Sequence, residues 1–132
     1  GMALCGGCSL KDVSGLGKLP FWIIHGTADR AVPVKQSKVV VDKLKRDGND
    51  TRLIYDWWQG ANHGMPARVF YMKKTYQWLF SHTLNDPDRP VNRDIDISMG
   101  DVRNAYDGVN RNAPKPELID GPSVIKNEGN EY

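Results

Sequence analysis

The chain has 132 residues, room for one domain and one core. Its 18 basic and 16 acidic residues are interspersed and leave a formal charge of +2, which excludes the basic stripe of a nucleic-acid binder. No stretch approaches the roughly 20 apolar residues of a membrane span, and no signal peptide is visible. Val, Ile, Leu, Trp and Tyr concentrate in residues 19–84, while residues 85–132 are rich in Asn, Asp, Pro and Arg. A core with a long polar tail is expected.

In chain order, residues 2–5 are short and apolar and stop at Gly6-Gly7, as the tail of a buried strand would. Cys5 and Cys8 form a CxxC, and free thiols are expected. A disulfide or redox pair and half of a zinc site are the alternatives. Neither has support: there is no second CxxC, the histidines are not spaced as zinc partners, and residues 9–15 read as loop. Cysteine use leaves the compartment open.

Phe21-Trp22-Ile23-Ile24-His25 is a continuous apolar run and predicts a strand buried on both faces of a parallel sheet. Residues 33–47 predict a helix. Val34, Val39, Val40, Val41 and Leu44 mostly share one face, and Gly48 stops it. The cluster Lys43, Lys45 and Arg46 reads as a solvated face near the C-terminus, where cations suit the dipole. Residues 51–58 predict a further strand. Residues 65–84 predict a helix with Pro66 in its first turn and Val69, Met72, Tyr76, Leu79 and Phe80 along one face.

Strand–helix–strand–helix implies parallel strands joined by right-handed crossovers. Two or three such strands do not make a stable open sheet alone. A partner chain, a swapped dimer or the tail must cover them. In the tail, residues 94–99 alternate and suit an edge strand or an extended docking segment. Residues 101–106 suit one or two helical turns, and the last stretch reads as disordered from its composition. No internal repeat is present.

Two loops carry chemistry. Asp29 follows the buried strand by three residues, and His63 follows the next strand after Gly60. The C-terminal ends of neighbouring parallel strands lie side by side, and ligands bind there. Asp29 and His63 are therefore expected across one crevice. A carboxylate that holds an imidazole there makes a general base for activating a hydroxyl. The plainer readings are a loop or N-cap aspartate and a surface histidine; agreement of spacing, order and strand context favours the pair. His25 is expected to be structural, bonded to loop backbone, and His82 to lie in solvent or cap the final helix. Of Trp57 and Trp58, one is expected in the core and the other at the crevice or a partner surface.

His25, Gly26, Asp29, Val32 and Pro33 fill the five fixed positions of HGxxDxxVP, and Asn62-His63-Gly64 follows the next strand. From Leu19 to about His82 the chain resembles the C-terminal half of an α/β-hydrolase, of the dienelactone hydrolase, prolyl oligopeptidase and polyhydroxybutyrate-depolymerase-like esterase group. The resemblance implies a partial α/β-hydrolase fold over residues 1–84, with residues 85–132 a tail docking on its own core or on a partner. It also implies that Asp29 is the triad acid and His63 the triad base. The G-x-S-x-G nucleophile turn of that group does not appear, and neither Ser9 nor Ser14 lies on a strand–turn–helix with flanking glycines.

The expected function is a fragment of a serine hydrolase, esterase or peptidase, inactive without its nucleophile. It would act on a small-molecule ester or peptide in the intact protein, need no cofactor or metal, and form a homodimer or swapped oligomer. The alternative is a non-catalytic binding or assembly module that uses its sheet edge.

Overall fold

The computed structural model describes residues 1–9 and 11–107. Among them, three parallel strands form one sheet in the order β1 (Met2–Leu4), β2 (Phe21–Gly26), β3 (Leu53–Trp58). Successive side chains of a strand point to opposite faces. On β2, Ile23 joins Val13, Val40, Val41, Leu44 and Leu53 on one face. Trp22 and Ile24 join Val69, Met72, Trp78 and Ala105 on the other. A strand between two apolar layers needs an unbroken apolar run, which is why β2 takes the centre. Trp57 and Trp58 divide between the same two layers, each half-buried.

Helix α1 (Lys35–Arg46) covers the Ile23 face with Ser37, Val40, Val41 and Leu44, one stripe at helical spacing. Val39 points outward, so the β-branched run is shared between two faces. Gly48 is left-handed at φ +70°, and Asn49 N donates to Leu44 O at 2.8 Å while Gly48 N donates to Lys45 O at 3.1 Å. These paired bonds close the helix as a Schellman motif.

The single helix expected over residues 65–84 is two pieces. A 3₁₀ helix, Pro66–Tyr71, precedes α2 (Lys73–Phe80), and Met72 between them is extended at φ −104°, ψ 129°. The first piece loses its carbonyls to side chains of the second: Thr75 Oγ1 donates to Val69 O and the Tyr76 hydroxyl to Phe70 O. The break resets the helical face. Thr75 and Trp78 are buried, whereas Tyr76 and Phe80, expected inside, are 43% and 83% exposed.

The tail lies back over the Trp22 and Ile24 face. Val91, Ile95 and Ile97 pack on that layer, and residues 94–97 join no ladder. Side chains hold the backbone instead. Trp78 Nε1 donates to Asn92 O at 2.7 Å, and Asn92 N donates to His82 Nε2 at 2.9 Å. His82 Nδ1 meets Trp78 O at 2.7 Å, so its ring ties α2 to the tail. Arg93 donates to Leu53 O and Thr51 O. Helix α3 (Met99–Asn104) opens with a capping box between Ser98 and Asp101 and buries Val102. Residues 108–132, where disorder was expected, lie outside the described residues. Among the described residues no helix is long and apolar enough to cross a membrane.

Trp78 packs edge-on against Trp22, ring centroids 5.3 Å apart. Trp78→Phe keeps an aromatic ring and leaves the half-buried Asn92 carbonyl without its donor, a loss of about 0.5–1.5 kcal/mol. Urea denaturation should show that loss, and amide exchange should rise over residues 91–97 before it rises in β2. Uniform exchange across both would show that the tail is not pinned at this point.

The Lys74 ammonium, 2.8 Å away, and the Ser98 amide hold the Asp101 carboxyl down at about 2. A depressed carboxylate stabilises the fold fully above its unfolded pKa of ~3.9, and that support is lost as pH falls through about 2. Protection of α3 amides should therefore weaken across this window, as exchange-detected NMR would show.

Candidate active site

The C-terminal ends of β2 and β3 are in register, Gly26 beside Trp58, and the loops that leave them are bonded together. Thr27 N donates to Trp58 O and Ala28 N to Ala61 O, both at 3.0 Å. Gly60 N donates to Thr27 Oγ1 at 2.7 Å. A Cβ on Gly26 would stand 2.2 Å from Ala61 O, so only glycine admits this approach. Asn62 Oδ1 accepts from the amides of Gly64 and Met65 and shapes the turn that carries His63.

Asp29 is buried at the centre of these loops. Its Oδ1 accepts from Ala31 N at 2.9 Å and Val32 N at 2.8 Å. It does not cap α1, whose N-cap is Val34. Its Oδ2 lies 2.7 Å from His63 Nδ1. Burial alone would push the Asp29 carboxyl up, but the bonds from His63, Val32 and Ala31 outweigh it and hold the group well below the ordinary carboxylate range.

A carboxylate accepts, so Nδ1 of His63 carries the ring proton and Nε2 keeps its lone pair. The His63 side chain is 50% exposed while that of Asp29 is fully enclosed. The imidazole stands at an open depression of about 650 Å³ lined by Ala28, Arg30, Ala31, Asn62, His63 and Gly64. An imidazole held this way can take a proton at Nε2 and return it.

His25 lies beneath, fully buried. Its Nε2 donates to Val32 O at 2.8 Å, and its Nδ1 meets Ser37 Oγ at 2.7 Å. The same Nε2 is 3.2 Å from Asp29 Oδ2. The ring therefore braces the Asp29 loop from below, a structural post.

Cys5 completes the surroundings. It ends β1 in the left-handed region at φ +50°, a conformation that costs a non-glycine residue about 1–3 kcal/mol. Its amide donates to Ile24 O at 2.9 Å. The thiol sits beside the carboxylate and helps keep Asp29 ionised. Burial pushes the Cys5 thiol up, and the negative charge of Asp29 adds to that rise. Sequence spacing brought Asp29 and His63 to one crevice. It left Cys5 as a bystander, although the rule that aligns neighbouring strand ends also applies to β1. Ser37 and Thr27 gave no signal, because their partners are fixed only by the folded loops.

The prolyl oligopeptidase family model matches residues 10–86, more than half of the chain. The chain belongs to the prolyl oligopeptidase family. Its fold is part of an α/β-hydrolase fold: the described sheet is similar to the crystal structure of a thermostable esterase, with TM-score 0.52 and 26% identity. That match covers 61% of this chain and 23% of the esterase chain, so this chain spans less than a quarter of it. No curated protein matches the chain.

Gly26→Ala should push the residue 59–64 loop away from β2 and break the Asp29–His63 bond while the helices stay folded. The bonded Nδ1 proton of His63 should disappear from the downfield proton NMR spectrum, with the circular dichroism unchanged. A preserved downfield signal would mean that the loops tolerate the extra carbon.

Proposed function

We propose that Asp29 and His63 are the acid and base of a Ser–Asp–His triad in a serine hydrolase that cleaves small-molecule ester or peptide bonds. The observation that carries this reading is the 2.7 Å contact between a buried carboxylate and the inner nitrogen of an imidazole whose outer nitrogen faces an open crevice. Membership of a peptidase family and likeness to an esterase support it. Both activities are acyl transfer and need the same base.

In this mechanism the serine Oγ attacks the substrate carbonyl carbon as His63 Nε2 takes its proton. Asp29 stays ionised and stabilises the imidazolium. His63 then protonates the leaving alcohol or amine, and the acyl group remains on the serine. Water, deprotonated by His63, attacks next, and the serine recovers its proton as the acid product leaves.

None of the described serines is hydrogen-bonded to His63. Ser37 is committed to His25 beneath the site. The serine is thus assigned to polypeptide outside the described residues, and the described residues alone do not complete a triad. Among the described residues β1 pairs with β2 alone. A strand added on its outer edge, ~4.8 Å away, would open onto the same crevice. That edge also favours a second reading, an assembly module that recruits a strand from a partner or a second copy.

A fluorophosphonate probe should leave the purified chain unlabelled, and a p-nitrophenyl ester should hydrolyse no faster than in buffer. A labelled serine among the described residues would overturn that assignment. An in-frame G-x-S-x-G upstream in the coding sequence would favour the triad, and a stop codon followed by a start codon would favour the module. In the protein that includes the serine, His63→Ala should lower kcat by about 10⁶-fold and Asp29→Asn by about 10⁴-fold. Unchanged kcat in His63→Ala would end the triad reading.

A further inference from the structure

We propose that the ends of the three strands form a site for a thiophilic divalent cation, zinc by class, held by Cys5, Asp29 and His63. Cys5 Sγ, a carboxylate oxygen of Asp29 and a ring nitrogen of His63 all lie within 4.8 Å of one another. Zinc bonds of ~2.0–2.3 Å in a tetrahedron place ligand atoms about 3.3–3.7 Å apart. The cluster needs only small side-chain shifts to reach that size.

The donors select the metal. One sulfur, one imidazole nitrogen and one carboxylate oxygen suit zinc and its neighbours, whereas calcium and magnesium take oxygen alone. Cys5 and Asp29 are buried and held by backbone: Cys5 through its amide on Ile24, Asp29 through Ala31 and Val32. His63 supplies the exposed side, so the fourth position opens to water. Cys8 is not in the cluster, which separates this site from a CxxC half-site.

The cation and the base compete. His63 Nδ1 faces Asp29 and is the nitrogen that coordinates. Its proton leaves to solvent and Nε2 takes one up, so the ring stays neutral with its outer lone pair occupied. The Cys5 thiol loses its proton to solvent as the zinc–sulfur bond forms, and no electrons are transferred. If the triad reading holds, zinc is then an inhibitor of the same site. The binding itself requires no serine and no turnover.

Cobalt(II) titration of the reduced chain tests this. One equivalent should give a thiolate-to-cobalt charge-transfer band, displaced by zinc. Cys8→Ser should keep the band, Cys5→Ser should lose it, and His63→Ala should weaken binding by at least about 100-fold, more than loss of an outer partner costs. Loss of the band in Cys8→Ser would assign the ion to the CxxC and overturn the proposal, as would a band that survives Cys5→Ser. No band in a chain that circular dichroism shows to be folded would also overturn it. Should Cys5→Ser unfold, His63→Ala decides, because its side chain lies at the surface of a loop. Triad failure would appear as unchanged kcat in His63→Ala of the serine-bearing protein, with this titration unaffected.

Discussion

One buried carboxylate organises this molecule. A charge withdrawn from water is tolerated only when donors surround it, and Asp29 recruits them from three places: two amides of its own loop, the imidazole of the next loop, and the thiol at the end of β1. The loop after β2, the turn that carries His63 and the end of β1 are all fixed by the same demand. His25 closes the arrangement from the core side through Val32 and Ser37. Chemistry at the crevice and order in the loops therefore share one cause.

The sheet faces the opposite problem. Its central strand is apolar on both sides and must be covered twice. Helix α1 supplies one cover. The other is composite: a 3₁₀ turn, the short α2 and a strap of tail, joined by Trp78, His82 and Asn92. Because the strap forms no ladder, its backbone groups are met by side chains, those of Lys74, Trp78 and His82 among them, while the strap's own Arg93 donates to the carbonyls of Thr51 and Leu53. The tail thus acts as a layer of the domain through residue 107.

What could be read in the sequence was what local chemistry decides. The apolar run of β2 marks a twice-covered strand by itself. Gly48 marks the end of α1 because only a left-handed residue closes it cheaply. Asp29 bonds amides two and three residues ahead, so its motif is nearly self-contained, and the parallel-strand rule then brings His63 to it. The break at Met72 was hidden because Thr75 and Tyr76 look like ordinary helix residues until their hydroxyls find Val69 O and Phe70 O. The strap was hidden for a similar reason: bonds from side chain to backbone have no period. Cys5 and Cys8 are free thiols, as the lack of partners in the sequence implies, but the place of Cys5 beside Asp29 and His63 has no local signal, because those neighbours lie 24 and 58 residues away.

The edge-on pair of Trp22 and Trp78 has an optical consequence. Two indoles with centroids 5.3 Å apart and planes at 66° are close and far from coplanar. Their transition dipoles couple and give oppositely signed circular-dichroism bands that neither ring produces alone. Trp57 and Trp58 belong to opposite layers of the sheet. Since Trp78 is also the ring that grips Asn92, the couplet is an intrinsic gauge of strap attachment that needs no added dye.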